Sequence, residues 1–218
     1  MSDEWLTELA RHQIPTVVLD WNVRQTGGHT LGVITQDFDT GIREAVDHLI
    51  NLGHRRLAHV SGPLNLETAR IRRDAFLNAL AAHGIATQQV QIVEGNLRTD
   101  GGRNALAHLL ELNERPTAVF AANDLTAIGI VWAARDRGLR VPEDLSVVGL
   151  DDVLLAAEIT PPLTTIALHR YELGSLAMQM LLDLQSPKSE AKPMRREMVS
   201  HLIVRQSTAP AKDQLPSI

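Results

Sequence analysis

The chain has 218 residues, 44% of them apolar and 22% charged, and carries a net charge of −5, enough length for one large domain or two small lobes. The acidic balance offers no clustered basic face for phosphates, so the chain by itself is not expected to bind DNA. The absence of cysteine excludes disulfides, thiolate catalysis and thiolate zinc sites, and no apolar run approaches the roughly 18 residues of a membrane span.

The first residues, MSDEWLTELARHQIP, are acidic and amphipathic, unlike a secretory signal, and point to a cytoplasmic protein. From there, apolar strand-like runs alternate with helix-periodic segments, the pattern of an α/β protein with parallel sheets. A helix over residues 3–12 breaks before Pro15. A strand at 16–19 follows, then a Gly/Thr-rich loop at 25–30 and a strand at 31–35. Asp39 or Thr40 caps a helix that stops at Gly53. Further strands are predicted at 55–60, 90–93, 117–121 and 145–149. Helices are predicted from the Asn65 cap to His83, over 100–112 and over 123–137. After Asp151 come a short helical piece, an extended stretch at 163–167, a helix at 170–184, a polar linker at 186–193 and a last strand at 198–204.

Two of these runs stop abruptly on polar pairs: AVFAANDLTAIG on Asn123-Asp124 and GLRVPEDLSVVGLDD on Asp151-Asp152. Strands buried on both faces of a parallel sheet place such pairs at their carboxyl ends, where open α/β sheets bind ligands. Asn123 fits either a helix cap or a ligand contact; Asp151-Asp152 precedes a weak, short helix and is explained less well by capping. Asp20 ends another strand, as a turn former or a hydrogen-bond acceptor, and Trp21 either walls a site or joins the core. Arg70 and Arg72 lie early in a helix, where a cation opposes the macrodipole and suggests an anionic partner, a carboxylate of the protein or a ligand, with a solvated charge run as the alternative. Spaced two apart, they face different ways. His54 and His59 read as core-edge or surface residues, and Trp132 as packing on another lobe or subunit. No phosphate loop, dinucleotide fingerprint, nucleophile elbow or zinc-protease motif occurs, so no catalytic residue, cofactor or metal is expected.

The segments IPTVVLDW, DHLINLGHRRLAHVSGPL, RPTAVFAANDLTAIGI, GLRVPEDLSVVGLDD and PPLTTI, in this order, resemble the effector-binding core of LacI/GalR-type bacterial regulators. The resemblance implies a periplasmic-binding-protein type I fold: two Rossmann-like parallel-sheet lobes, three crossovers and a small-molecule cleft. It implies a homodimer in which ligand binding alters how a headpiece grips DNA. The family's ligand contacts fall on Asp20, Arg72, Asn123 and Asp151, with Thr68 and Trp21 as second-tier candidates. Carboxylates and a guanidinium fork suit a sugar, polyol or nucleobase. Leu97 stands where sugar-responsive relatives often carry a stacking aromatic, and Leu66 where the purine-responsive type has a basic residue.

The resemblance begins part-way into the N-terminal lobe. The helix-turn-helix headpiece and the first βα units are therefore expected to be missing, leaving that lobe incomplete with an exposed strand edge. The expected division is residues 1–36 with 163–190 as the partial N-terminal lobe, 37–162 with 191–208 as the C-terminal lobe, and 209–218 as a disordered tail. The resulting expectation is a non-enzymatic effector module with no membrane partner, reaching DNA only through a headpiece this chain lacks. Its rivals are a solute-binding protein of the same fold, an enzyme on a doubly wound sheet, and a dimerising module without a ligand.

Overall fold

The computed structural model describes residues 4–19, 31–185 and 194–212. The chain divides into two compact units, Met1–Asp37 with Leu168–Val199, and Phe38–Ala167 with Ser200–Ile218.

The first unit contains α1 (Glu4–Arg11), β1 (Thr16–Leu19), β2 (Leu31–Asp37), α7 (Arg170–Gln185) and β8 (Met194–Val199). Its strands form a three-stranded sheet in the order β1-β2-β8, parallel throughout. The central β2 is buried along nearly its whole length, whereas β1 and β8 are largely half-buried or exposed. Leu6 of α1 packs with Val18, Leu31 and Val33, and Trp5 lies against them. On α7, Met180 and Leu184 turn inward, spaced by one helical turn as an amphipathic helix requires.

The second unit contains α2 (Phe38–Asn51), β3 (Leu57–Ser61), α3 (Glu67–Ala82), β4 (Gln91–Glu94), α4 (Thr99–Leu110), β5 (Ala118–Ala121), α5 (Asp124–Asp136), β6 (Ser146–Asp151), α6 (Leu154–Glu158), β7 (Thr164–Ala167) and β9 (His201–Ile203). Six strands lie in the order β4-β3-β5-β6-β7-β9, all parallel except β9, which runs antiparallel to β7. Every residue of β3, β5 and β7 is buried. Helices cover both faces of such a sheet, so these strands are apolar on both sides. Helices α4 and α5 approach closely: a Cβ on Gly102 would collide with the Thr126 carbonyl oxygen, and one on Gly129 with that of Thr99.

Several expectations are corrected here. Strand β7, assigned from sequence to the partial lobe, pairs with β6 from Thr164 opposite Val148. Met194–Val199, assigned to the C-terminal lobe, pairs with β2 in the other unit. The extended run after Pro162 continues the larger sheet, and the single last strand expected at 198–204 is two: β8, an edge strand of the smaller sheet, and β9, paired with β7 in the larger one. Residues 209–212, expected as the start of a disordered tail, are held in place: the Ala209 amide donates to Ser146 Oγ and the Ala211 amide to the Leu52 carbonyl. Residues 213–218 and 186–193 lie outside the described residues.

His54 and His59 are both core groups, at 2% and 0% exposure. His54 bonds Thr117 Oγ1, Ser146 Oγ and the Ala209 carbonyl at the amino ends of β5 and β6, and burial lowers its pKa. His59 is stacked with Phe120, its centroid 5.1 Å away, and tilted against Phe76. Its Nδ1–H donates to the Phe120 carbonyl, 3.0 Å away, since a carbonyl only accepts. Trp132 packs on the core of its own unit and under the Arg103 guanidinium. Helix α3 begins at Glu67 with Leu66 as its cap residue, and no side chain caps it, so Asn65 does not have the capping role expected of it.

Candidate ligand-binding site

The carboxyl ends of β3, β4, β5 and β6 collect the polar groups of the second unit on one edge. Arg72, in the second turn of α3, is half-buried, donates from Nη1 to the Ala122 carbonyl at 2.9 Å and lies over the Phe38 ring at 4.5 Å. Its guanidinium therefore sits one residue beyond the end of β5, held from below by an aromatic face. Arg70 instead reaches the Leu64 carbonyl, and Arg73 pairs with Asp74. The two-residue spacing separates Arg70 from Arg72 as expected. Thr68, in the first turn of α3, is half-buried.

Asn123 is buried at 8% exposure and does two things. Its Oδ1 accepts from the Thr126 amide at 3.0 Å, capping α5, and its Nδ2 donates to the Leu97 carbonyl at 3.0 Å. An asparagine amide has two N–H bonds and two acceptor lone pairs, so one of each remains for a ligand. The second bond holds Leu97 in the β4–α4 loop, where its backbone takes φ 62. The Leu97 side chain lies over Gly62, since a Cβ there would press on its Cγ. An aliphatic side chain thus caps the carboxyl end of β3.

Asp151 ends β6 half-buried, with φ 131, and Asp152 follows with φ 54. Two successive residues with a Cβ in the left-handed half of backbone space need outside restraint. Asp124 supplies part of it. Fully buried, it accepts from the Val153 amide at 2.8 Å and from Thr165 Oγ1 at 2.5 Å. Burial pushes its pKa up to about 6; the two hydrogen bonds oppose that shift, and the nearby Asp151 and Asp152 add to it. Gly149 is required beneath it, because a Cβ there would strike Asp124 Oδ1. On the other side, Asp152 pairs with Arg205 at 2.6 Å.

Of the six residues singled out from sequence, Arg72, Asn123, Asp151 and Thr68 fall on this one unit, the first three at the ends of adjacent strands β5 and β6 or bonded there. Asp20 and Trp21 lie outside the described residues. Asp124 stands in the polar pair read from sequence, but its role as a buried tie was not foreseen, and Arg205 was not singled out at all. The contact of Asp124 with Gly149 in β6 is the signal of its burial. Arg205 follows an apolar strand and carries no local signal. Among the described residues, no group of three or more His, Asp or Glu could hold a metal ion, and no helix is long and apolar enough to cross a membrane.

The periplasmic binding protein-like domain model matches residues 46–208. A LacI family transcriptional regulator from Enterococcus faecium, solved with bound ribose, superposes with a TM-score of 0.87 at 32% identity, over 97% of this chain and 77% of that one. The chain belongs to the LacI family. It corresponds to the family's effector-binding, periplasmic-binding-protein-like domain. A dimeric Lac repressor is similar at a TM-score of 0.83 and 30% identity, covering 95% of this chain and 74% of its own. Among curated relatives, the HTH-type transcriptional repressor PurR of Erwinia tasmaniensis is 38% identical over 209 residues, 95% of this chain. The chain spans about 60% of that repressor's length.

Proposed function

We propose that this LacI-family chain is the effector-binding part of a transcriptional repressor, and that it binds a small polar molecule at the carboxyl edge of β3–β6. Arg72 and Asn123 donate to the ligand and Asp151 accepts from its hydroxyl or amino groups. The observation that carries this reading is that Arg72 and Asn123 converge on the end of β5 while Asp151 ends the adjacent β6. The aliphatic Leu97 beside them would face the apolar side of a sugar ring or a base. The ribose-bound neighbour supports a ligand of this class.

The module acts without catalysis, in the cytoplasm, as one half of a homodimer, and DNA contact belongs to sequence outside this chain. A thermal-shift screen of pentoses, hexoses, polyols and nucleobases tests the ligand assignment. The expected result is a hit that raises the melting temperature of the parent chain and fails to do so with Arg72→Ala. A hit that stabilises Arg72→Ala equally would contradict the assignment.

A further inference from the structure

Beyond the residues that would touch a ligand, the turn after β6 has an anchor just past β9, two strands away in the sheet. Arg205 lies just past β9 and is fixed at three points: its amide donates to Thr164 Oγ1, its Nη1 to the Leu163 carbonyl, and its Nη2 to Asp152 Oδ1. Its side chain is only 19% exposed, so the pair with Asp152 is poorly screened. The next residue of the same turn is tied as well, the Val153 amide donating to the buried Asp124 carboxylate. Both ties act at or directly after the positive-φ residues Asp151 and Asp152. The carboxylates of Asp151 and Asp152 both lie close enough to Asp124 to raise its pKa further. The guanidinium bonded to one of them offsets that effect.

We infer that Arg205 is a positioning residue for the ligand site: acting through Asp152, it holds the Asp151 backbone in its left-handed conformation and so sets where the Asp151 carboxylate stands. The inference rests on the proposed ligand role of Asp151. Arg205 itself touches no ligand. A turn freed from Arg205 relaxes toward ordinary negative φ, which redirects the Asp151 side chain, while the sheet around it stays intact.

The test uses the full 218-residue chain and three variants: Arg205→Gln, Arg205→Lys and Asp152→Asn. Two readouts are taken at a temperature where all are folded: the φ-sensitive couplings of Asp151 and Asp152 with amide exchange at Val153, and the affinity for D-ribose and for guanine. Expected for Arg205→Gln are loss of the positive-φ couplings, at least tenfold faster exchange at Val153, and at least tenfold weaker binding of whichever probe binds the parent. Asp152→Asn should move the same readouts in the same direction, and Arg205→Lys, which keeps the charge, should recover most of the loss. A purely structural arginine would lower the melting temperature and leave the couplings and the affinity of the folded protein unchanged; that result overturns the inference. If Arg205→Gln does not fold, Asp152→Asn decides alone, because it keeps the arginine and its two bonds to Leu163 and Thr164. If neither probe binds the parent chain, the ligand assignment for these probes fails, and the couplings and exchange still decide whether Arg205 holds the turn.

Discussion

The two units treat their strands differently. In the larger one, β3, β5, β6 and β7 are buried almost without interruption, and their side chains pack on both faces. In the smaller one only the central β2 is comparably buried; β1 and β8 flank it largely half-buried or exposed, with Leu19 at 45% and Val199 at 43%. Exposed apolar residues also line α7, with Tyr171 at 85%, Met178 at 58% and Leu182 at 53%. The lesson is that close packing and polar restraint concentrate where a strand is covered on both faces. The proposed ligand groups stand at the ends of such strands, where a rigid sheet fixes side chains most narrowly.

The sharpest way to break this contrast is to crowd the larger unit. Gly129→Ala forces a Cβ into the Thr99 backbone, which a neighbouring side chain cannot relieve. The expected loss is about 3 kcal/mol or more, at the upper end of overpacking costs, measured by urea unfolding. A loss under about 1 kcal/mol would mean that α4 and α5 separate easily.

Acid titration sharpens the comparison within that unit. His59 is held down to about 4, first by burial, against the pull of its bond to Phe120 and with Arg72 and Arg73 adding repulsion. Its neutral form is therefore favoured by folding. The associated stability is full above pH 6.5 and is lost as pH falls toward 4, by about 3 kcal/mol in all. Asp124 acts oppositely: raised to about 6 by burial, it adds stability as pH falls from 6 toward 4, by about 2–3 kcal/mol. His59→Phe should flatten the acid loss and Asp124→Asn should steepen it, both read from unfolding midpoints at pH 7, 5.5 and 4.5. Equal slopes in both variants and the parent would contradict the burial argument.

Smaller effects follow. Thr165→Val removes one hydrogen bond to Asp124 and should cost about 1–2 kcal/mol, as a donor lost to a charged acceptor does. In the smaller unit, Met178→Gln and Leu182→Gln should each change stability by less than about 0.5 kcal/mol, as exposed substitutions do. A drop of about 2 kcal/mol at either position would show that this face of α7 is covered.

Burial on both faces also decided what was legible in the sequence. The strands running into Asn123 and Asp151 stood out as apolar runs cut off by polar pairs; β5 ends at Ala121 as that reading put it, and β6 runs two residues past 149, to Asp151. Edge strand β8, with Arg195, Arg196 and Glu197 in its middle, carries no such run, because only one neighbour and little core constrain its side chains. The division of the chain was misplaced: the boundary expected after residue 162 falls before β7, which pairs with β6 and continues the larger sheet. At the site, Arg72, Asn123 and Asp151 were recognisable from residue type and position. The Asp124 tie, the Leu97 backbone clasp and the Arg205 anchor depend on residues 26 to 53 positions apart, and no local pattern encodes them.

The most direct test of the proposed site is the melting temperature of the parent chain and of Asp151→Ala, each titrated with the compound that stabilises the parent most among sugars, polyols and nucleobases. The account predicts that the parent melts progressively higher with added compound and that Asp151→Ala responds at least tenfold more weakly, the scale of one lost charged hydrogen bond. An undiminished response in Asp151→Ala would contradict it and move the site away from the end of β6.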